Sequence, residues 1–365
     1  MQGASGNRFV LSNVRVFDGR IVGEPTSVAI DGSVIGGDVG GAEIIDGAGG
    51  VLVPGFIDAH VHLDAAESLD VLAAHGVTTV LDMGTLQADV VASARARAGT
   101  ASLYSAGVPI IGSAGVHAQV PGVETVAVIH GPEDAEAMVA RRVADGSDYI
   151  KLILEAPGDG GPDARSAKAV VAAAHARGLQ VVAHVTTPGA YAMGIDAGVD
   201  VLTHVPMGAR VPDSDIERLA GGRHAVVPTL TMMQGCAETF GFGGIFEDAL
   251  ANAVALWSAG ATVLAGTDAN ATPGLPFHPP LGASLHHELE LLVRAGVSTA
   301  AALEAATVLP ARQFGLTDRG RIAPGMRADL VLLDGDPIAD IRATRAIRRI
   351  WCGGIEHAPA APPHS

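Results

Sequence analysis

The chain has 365 residues, 48% of them hydrophobic, and Lys+Arg 23 against Asp+Glu 39 gives a formal net charge of −16. That length and apolar share predict a sizeable core in two domains or in one large barrel-type domain. The acidic balance argues against coating phosphate backbones or anionic membranes, so a small molecule, rather than nucleic acid or a membrane surface, is the expected partner. Two cysteines, Cys236 and Cys352, cannot build a disulfide framework, which fits a reducing compartment. The opening MQGASGNRFV lacks the basic and apolar regions of a signal peptide, and no apolar run reaches the roughly 18 residues of a membrane span. A cytoplasmic protein is expected.

Residues 8–17 (RFVLSNVRVF) alternate apolar and polar side chains and then meet Asp18-Gly19, the pattern of a strand and a tight turn. Residues 26–36 repeat that style around Asp31-Gly32, and 43–53 read as a third strand. From about 56 to 315 the pattern changes. Short apolar runs, FIDAHVHL (56–63), TTVLDMG (78–84), LYSAGVPII (103–111), YIKLIL (149–154), VVAHV (181–185), VLTHV (201–205), AVVPTL (225–230) and TVLAGTDA (262–269), alternate with Ala-rich amphipathic stretches. The spacing predicts helices over 133–145, 164–177 and 246–259, closed by Gly146, Gly178 and Gly260. Eight buried-type strands, each followed by helical sequence, predict an α/β fold with a (β/α)8 TIM-type barrel over 55–318. The stretches 328–334 and 347–353 return to β character. The two ends, 1–54 and 319–365, then make one small discontinuous β-sandwich, with 357–365 as a disordered tail.

Metal-capable side chains sit at the C-terminal ends of these strands, which in a barrel face one mouth. His60 and His62 end the first strand, and their i, i+2 spacing puts both imidazoles on one side. Lys151 lies in the fourth, His184 ends the fifth, His204 the sixth and Asp268 the eighth. A charged lysine inside YIKLIL is expensive unless paired or modified. A lone strand histidine is commonly a satisfied core residue, and a lone strand-end aspartate a helix cap. Four His, one Lys and one Asp at matching ends of five strands favour a metal site, and the His-plus-carboxylate donor set fits Zn²⁺.

The string PGFIDAHVHL (54–63), with Lys151, His184, His204, the GTD of 266–268 and LTDRGRIAPGMRADLVLLDGDP (316–337), resembles the amidohydrolase superfamily over about residues 8 to 355. Within that superfamily the chain is similar to the imidazolonepropionase and prolidase-like members, which include ochratoxin-type amidases. The resemblance implies two divalent metal ions. His60, His62 and Asp268 bind the more buried one and His184 and His204 the more exposed one. Lys151 carries a CO₂-derived carbamate bridging both. A hydroxide shared by the metals attacks the substrate, with Asp268 as general base. By the same resemblance, His117 is expected to contact the substrate carbonyl or oxyanion. Two departures bear on specificity. Relatives tend to have Gly-Gly-His where this chain has Ser113-Ala114-Gly115-Val116 before His117. Prolidase-like members often place a Tyr near the strand-five His, where this chain has Val185-Thr186-Thr187 and then Tyr191.

The implied activity is hydrolysis of an amide, or of a carbamate, ester or lactone. Met232, Phe240 and Phe277, with Met233, Phe242, Phe246 and Leu275, gather in the last two loops and argue for an apolar or aromatic substrate group. His278 lies in the same region, and Arg210 is a nearby cation for a substrate carboxylate or an ordinary surface arginine. Two alternatives stand beside this reading. A mononuclear deaminase on the same fold lacks the bridging lysine and carries Glu shortly after the strand-five His, whereas here Lys151 is present and no acid follows His184 through Thr187. A non-catalytic scaffold typically loses metal ligands. Barrel enzymes often form homo-oligomers, but no interface is legible.

Overall fold

The alternation near the start folds as an antiparallel pair, β1 (Arg8–Phe17) with β2 (Val22–Asp31), followed by β3 (Val34–Ile35). The coordinates are a computed structural model that describes residues 8–38, 40–119, 126–221, 224–272 and 274–361. Asp18 closes the first turn, its Oδ1 accepting from the amides of Arg20 and Ile21. The single strand expected over 43–53 is two: β4 (Glu43–Asp46) and β5 (Val51–Pro54). The break falls on a tight turn that only a glycine at 47 leaves room for. Ala48 (φ 48) and Gly49 (φ 73) are left-handed, and a Cβ on Gly47 would stand 2.2 Å from Val14 Cγ1.

The central strands are parallel and follow chain order. β6 (Phe56–Val61), β7 (Val77–Asp82) and β8 (Ser102–Ser105) form a three-stranded sheet. β9 (Ile150–Ile153), β10 (Val181–His184), β11 (Val201–Thr203), β12 (Ala225–Val227) and β13 (Thr262–Val263) form a five-stranded one. Backbone hydrogen bonds join the two sheets at both margins. Beyond β13, Ala59 N donates to Ala265 O, Asp268 N to His60 O and His62 N to Ala269 O; beyond β8, Asp148 N donates to Ser105 O and Ile110 N to Lys151 O. Helices cover these strands, among them Ala135–Ala144, Ala164–His175 and Phe246–Ser258. Every residue of β6, β7, β9 and β12 is buried, as parallel strands covered on both faces require.

The chain ends in β14 (Leu330–Leu333), β15 (Ile347–Cys352) and β16 (Ile355–His357). β14 pairs antiparallel with both β5 and β15, so the two ends of the chain share one hydrogen-bonded sheet, ordered β16-β15-β14-β5-β1-β2-β3 with β4 on β1. Its strands alternate between two cores. Leu52, Leu330 and Leu332 pack with Phe9, Leu11, Ile30 and Trp351, whereas Val51, Val53, Val331 and Leu333 join the main core. The expected disordered tail is corrected in part: His357 ends β16, and Ala360 N donates to Ala74 O. Residues 362–365 lie outside the described residues. No described helix is long and apolar enough to cross a membrane.

Candidate metal centre

β6 and the residue that follows it bring His60 and His62 together, and the segment after β13 brings Asp268 to them. His60 Nε2 and His62 Nε2 lie 3.3 Å apart, and Asp268 Oδ1 lies 3.3 Å from the first and 3.2 Å from the second. Such a triangle matches one face of a tetrahedron, whose edges are about 3.3–3.4 Å for metal–ligand distances near 2.0–2.1 Å. His62 Nδ1 lies 3.2 Å from Gly84 O. A carbonyl only accepts, so Nδ1 carries the proton and Nε2 keeps its lone pair for a metal.

Asp268 holds this place in a left-handed conformation (φ 57), fixed by its own N–H on His60 O. Asp58 reinforces it from below. Fully buried, it accepts from the amides of His60 and Thr267 and from Thr267 Oγ1, so one carboxyl ties β6 to the segment that carries Asp268. Burial pushes Asp58 up to about 7 against those hydrogen bonds.

The remaining residues complete the cluster. Lys151 on β9 is buried, and its Nζ donates to Thr203 Oγ1 at 3.0 Å. Burial pushes the ammonium down to about 7, against the pull of Asp268 and Asp82. His184 ends β10 and His204 follows β11 in a left-handed conformation (φ 75). The rings run in a line, with centroids 4.7 Å from His117 to His184, 4.4 Å on to His204, 5.0 Å to His60 and 5.3 Å to His62. Asp268 Oδ2 is 4.0 Å from His204 Nδ1. Burial drives His60 down to about 3 and His184 and His204 well below the usual imidazole range. Burial alone would raise Asp268, but His60, then His62 and His204, hold it well below the carboxylate range. Among the imidazoles His62 is the exception: burial lowers it, but its contact with Asp268 outweighs burial and raises it. Neutral imidazoles at His60, His184 and His204 beside a firm anion are the protonation states that metal binding needs, and an ion would have to displace a proton at His62.

His117 sits in a short 3₁₀ turn, Val116–Gln119, with Nδ1 3.4 Å from Glu155 Oε1. Asp58 and Glu155 are absent from the sequence-based site. The signal for Asp58 is a carboxylate inside the apolar run FIDAHV; Glu155 gives none, because only the packing of two loops brings it to His117.

Three of the expected substrate contacts have other partners in the structure. Tyr191 is fully buried, and its hydroxyl donates to His204 O at 2.6 Å, bracing the backbone of His204 instead of facing the mouth. Met232 is buried in the main core, where its sulfur accepts from Cys236 Sγ at 3.5 Å. Arg210 is exposed and paired with Asp248 at 2.8 Å. Phe240 is 59% exposed at the end of the helix Leu230–Thr239. Phe277 packs on Gly235, where a Cβ would stand 2.1 Å from the ring. His278 Nδ1 lies 3.0 Å from Asn270 Oδ1, and Asn270 Nδ2 donates to Asp268 O at 2.7 Å, so His278 is two hydrogen bonds from the cluster.

Comparison with known proteins agrees with this architecture. An adenine deaminase of Methylobacterium nodulans is 28% identical over 94% of this chain and 57% of its own length, so the chain spans about half the length of the curated relatives it matches. Among solved structures, a Xaa-Pro dipeptidase with bound methionine superposes with a TM-score of 0.83 at 21% identity, covering 96% of this chain and 100% of its own. The ochratoxinase of A. niger superposes with a TM-score of 0.78 at 18% identity, covering 98% and 97%. A profile of the amidohydrolase family matches residues 51–356, nearly all of the parallel strands and the returning sheet, and the chain belongs to that family of hydrolases.

Proposed function

We propose that the chain is a binuclear metal-dependent hydrolase of an amide bond, or of a related carbamate, ester or lactone, on a (β/α)8 barrel made by the two parallel sheets together. In this reading the barrel spans 55–318, and the terminal sheet, from 1–54 and 319–365, forms a companion domain. The observation that carries it is the triangle of His60 Nε2, His62 Nε2 and Asp268 Oδ1. Those three would hold one divalent ion, with Zn²⁺ fitting the donor set, and His184 and His204 would hold a second. Lys151, with its amine pushed toward neutrality, has a lone pair that would attack CO₂, giving up one proton to solvent; the carbamate would replace a costly buried cation with an anion able to help hold the ions. When bound, the ions lower the pKa of a water and polarise the scissile carbonyl. Asp268, held as an anion, takes the proton of the attacking water and passes it to the leaving group. His117, beside His184, donates to the substrate carbonyl oxygen. Phe240, Phe242 and Leu275 remain exposed and favour an apolar or aromatic substrate group.

The test is metal analysis joined to a hydrolysis screen across N-acyl amino acids, dipeptides, lactones and aryl carbamates. About two ions per chain and chelator-sensitive turnover are expected. Fewer than about one ion in metal-replete protein, or full turnover after stripping, sinks the reading. A deaminase is the second reading, favoured by the relative named adenine deaminase that matches 94% of the chain. Release of ammonia from adenine, with no hydrolysis in the screen, would select it.

A further inference from the structure

We propose that Glu288 is a positioning residue for His204, acting through Thr229; the inference rests on the two-metal reading above. Glu288 belongs to the helix Ala283–Arg294 and is fully buried. Its Oε1 accepts from Leu230 N at 2.9 Å, and its Oε2 accepts from Thr231 N at 2.7 Å and Thr231 Oγ1 at 2.9 Å. These amides are the unsatisfied donors at the start of the helix Leu230–Thr239. Thr229 occupies the N-cap position, where its hydroxyl would ordinarily accept from Thr231 N or the amide after it, yet it makes no cap hydrogen bond. A carboxylate from another helix has taken over that duty.

The substitution of one cap for another releases the Thr229 hydroxyl. It lies 2.8 Å from His204 Nδ1. Thr229 is fully buried and left-handed (φ 50, ψ 46), which is rare for a β-branched residue and persists only where its surroundings impose it. Glu288 supplies that constraint on the residues immediately following. With Nδ1–H donating to Thr229 Oγ1, His204 keeps the Nε2 lone pair for the second ion, while Tyr191 holds its carbonyl from the other side. A helix cap with no such role would alter stability and leave the second ion untouched.

The experiment titrates Co²⁺ into metal-free protein, following its visible absorption and its stoichiometry, and records the ¹⁵N-histidine spectrum of the metal-free state. Glu288→Gln keeps the volume but points an amide donor at a backbone N–H. It should retain one tight ion and bind the second about 10–100-fold more weakly. Thr229→Val should do the same, and Thr229→Ser should restore wild-type affinity. The double variant Glu288→Gln/Thr229→Val should be no weaker than the worse single one. Two ions bound with wild-type affinity by both single variants, or a double loss equal to the product of the single ones, overturns the proposal. Should Glu288→Gln fail to fold, Thr229→Val, which leaves the cap intact, carries the test alone. Should wild type itself take up fewer than two ions, the two-metal reading fails instead. The metal-free His204 nitrogen signals then decide the positioning role, and their identity in wild type and Thr229→Val overturns it.

Discussion

At Lys151, stability and chemistry conflict. A buried ammonium whose hydrogen bond goes to a neutral hydroxyl, Thr203 Oγ1, destabilises the chain unless its charge is removed or reversed. Lys151→Ala is therefore expected to lose one or both ions and to drop kcat/KM by orders of magnitude, with partial rescue by short carboxylic acids that replace the bridge. Unchanged activity would refute the carbamate. Glu288 presents a second buried charge, whose burial pushes it up from 4.5 to about 7 in spite of its three donors. Its folded pKa lies above its unfolded one. The stability it contributes is thus full below pH 4.5 and is lost as pH rises through about 7. The shift corresponds to a differential of about 3 kcal/mol. The stability gap between wild type and Glu288→Gln, from denaturant melts, should move by a sizeable part of that amount in favour of the variant between pH 4.5 and 7.5. A pH-independent gap would contradict it.

At the scale of elements, the loops after β8 and β9 meet backbone to backbone. A Cβ on Gly112 would stand 2.3 Å from Gly160 O, and one on Gly115 would stand 2.1 Å from Glu155 Oε1. No rotamer relieves a clash with backbone, so Gly112→Ala must move a loop and with it His117. Turnover should fall by about 10-fold or more while metal content stays unchanged; equal turnover would show that the loop is not needed in this place. These loops also mark where sequence reading stops. The strands and their order are legible because the apolar runs recur at regular spacing and four of the eight close at a residue that has no business in a core: His62, His184, His204, Asp268. The break between β4 and β5 is not, since the close approach of Val14 to Gly47, which leaves no room for a Cβ, is a tertiary fact. Nor is the burial of Tyr191, whose helix placement is readable but whose partner, the carbonyl of His204, is set by the fold. Met232 misleads for a related reason: in a run of apolar helix residues, the sequence does not say which face meets the core.

Over the whole molecule, the cluster draws on β6, β9, β10, β11 and the segment after β13, so ions bound there would cross-link both parallel sheets. The terminal sheet is fastened to the same body, because Val51, Val53, Val331 and Leu333 bury one face of it in the main core with the parallel strands. Two consequences follow for unfolding. Ions present at about a hundred times their dissociation constants stabilise by about 2.7 kcal/mol each. Stripping both should then lower Tm by roughly 5–10 °C, with recovery on adding Zn²⁺. Since the shared core couples the sheet to the strands that carry the ligands, calorimetry should show one transition that moves as a unit with chelator. Two transitions, with only one responding to the metal, would mean that the face built from Val51, Val53, Val331 and Leu333 does not bind the terminal strands tightly enough to make them melt with the metal-bearing body.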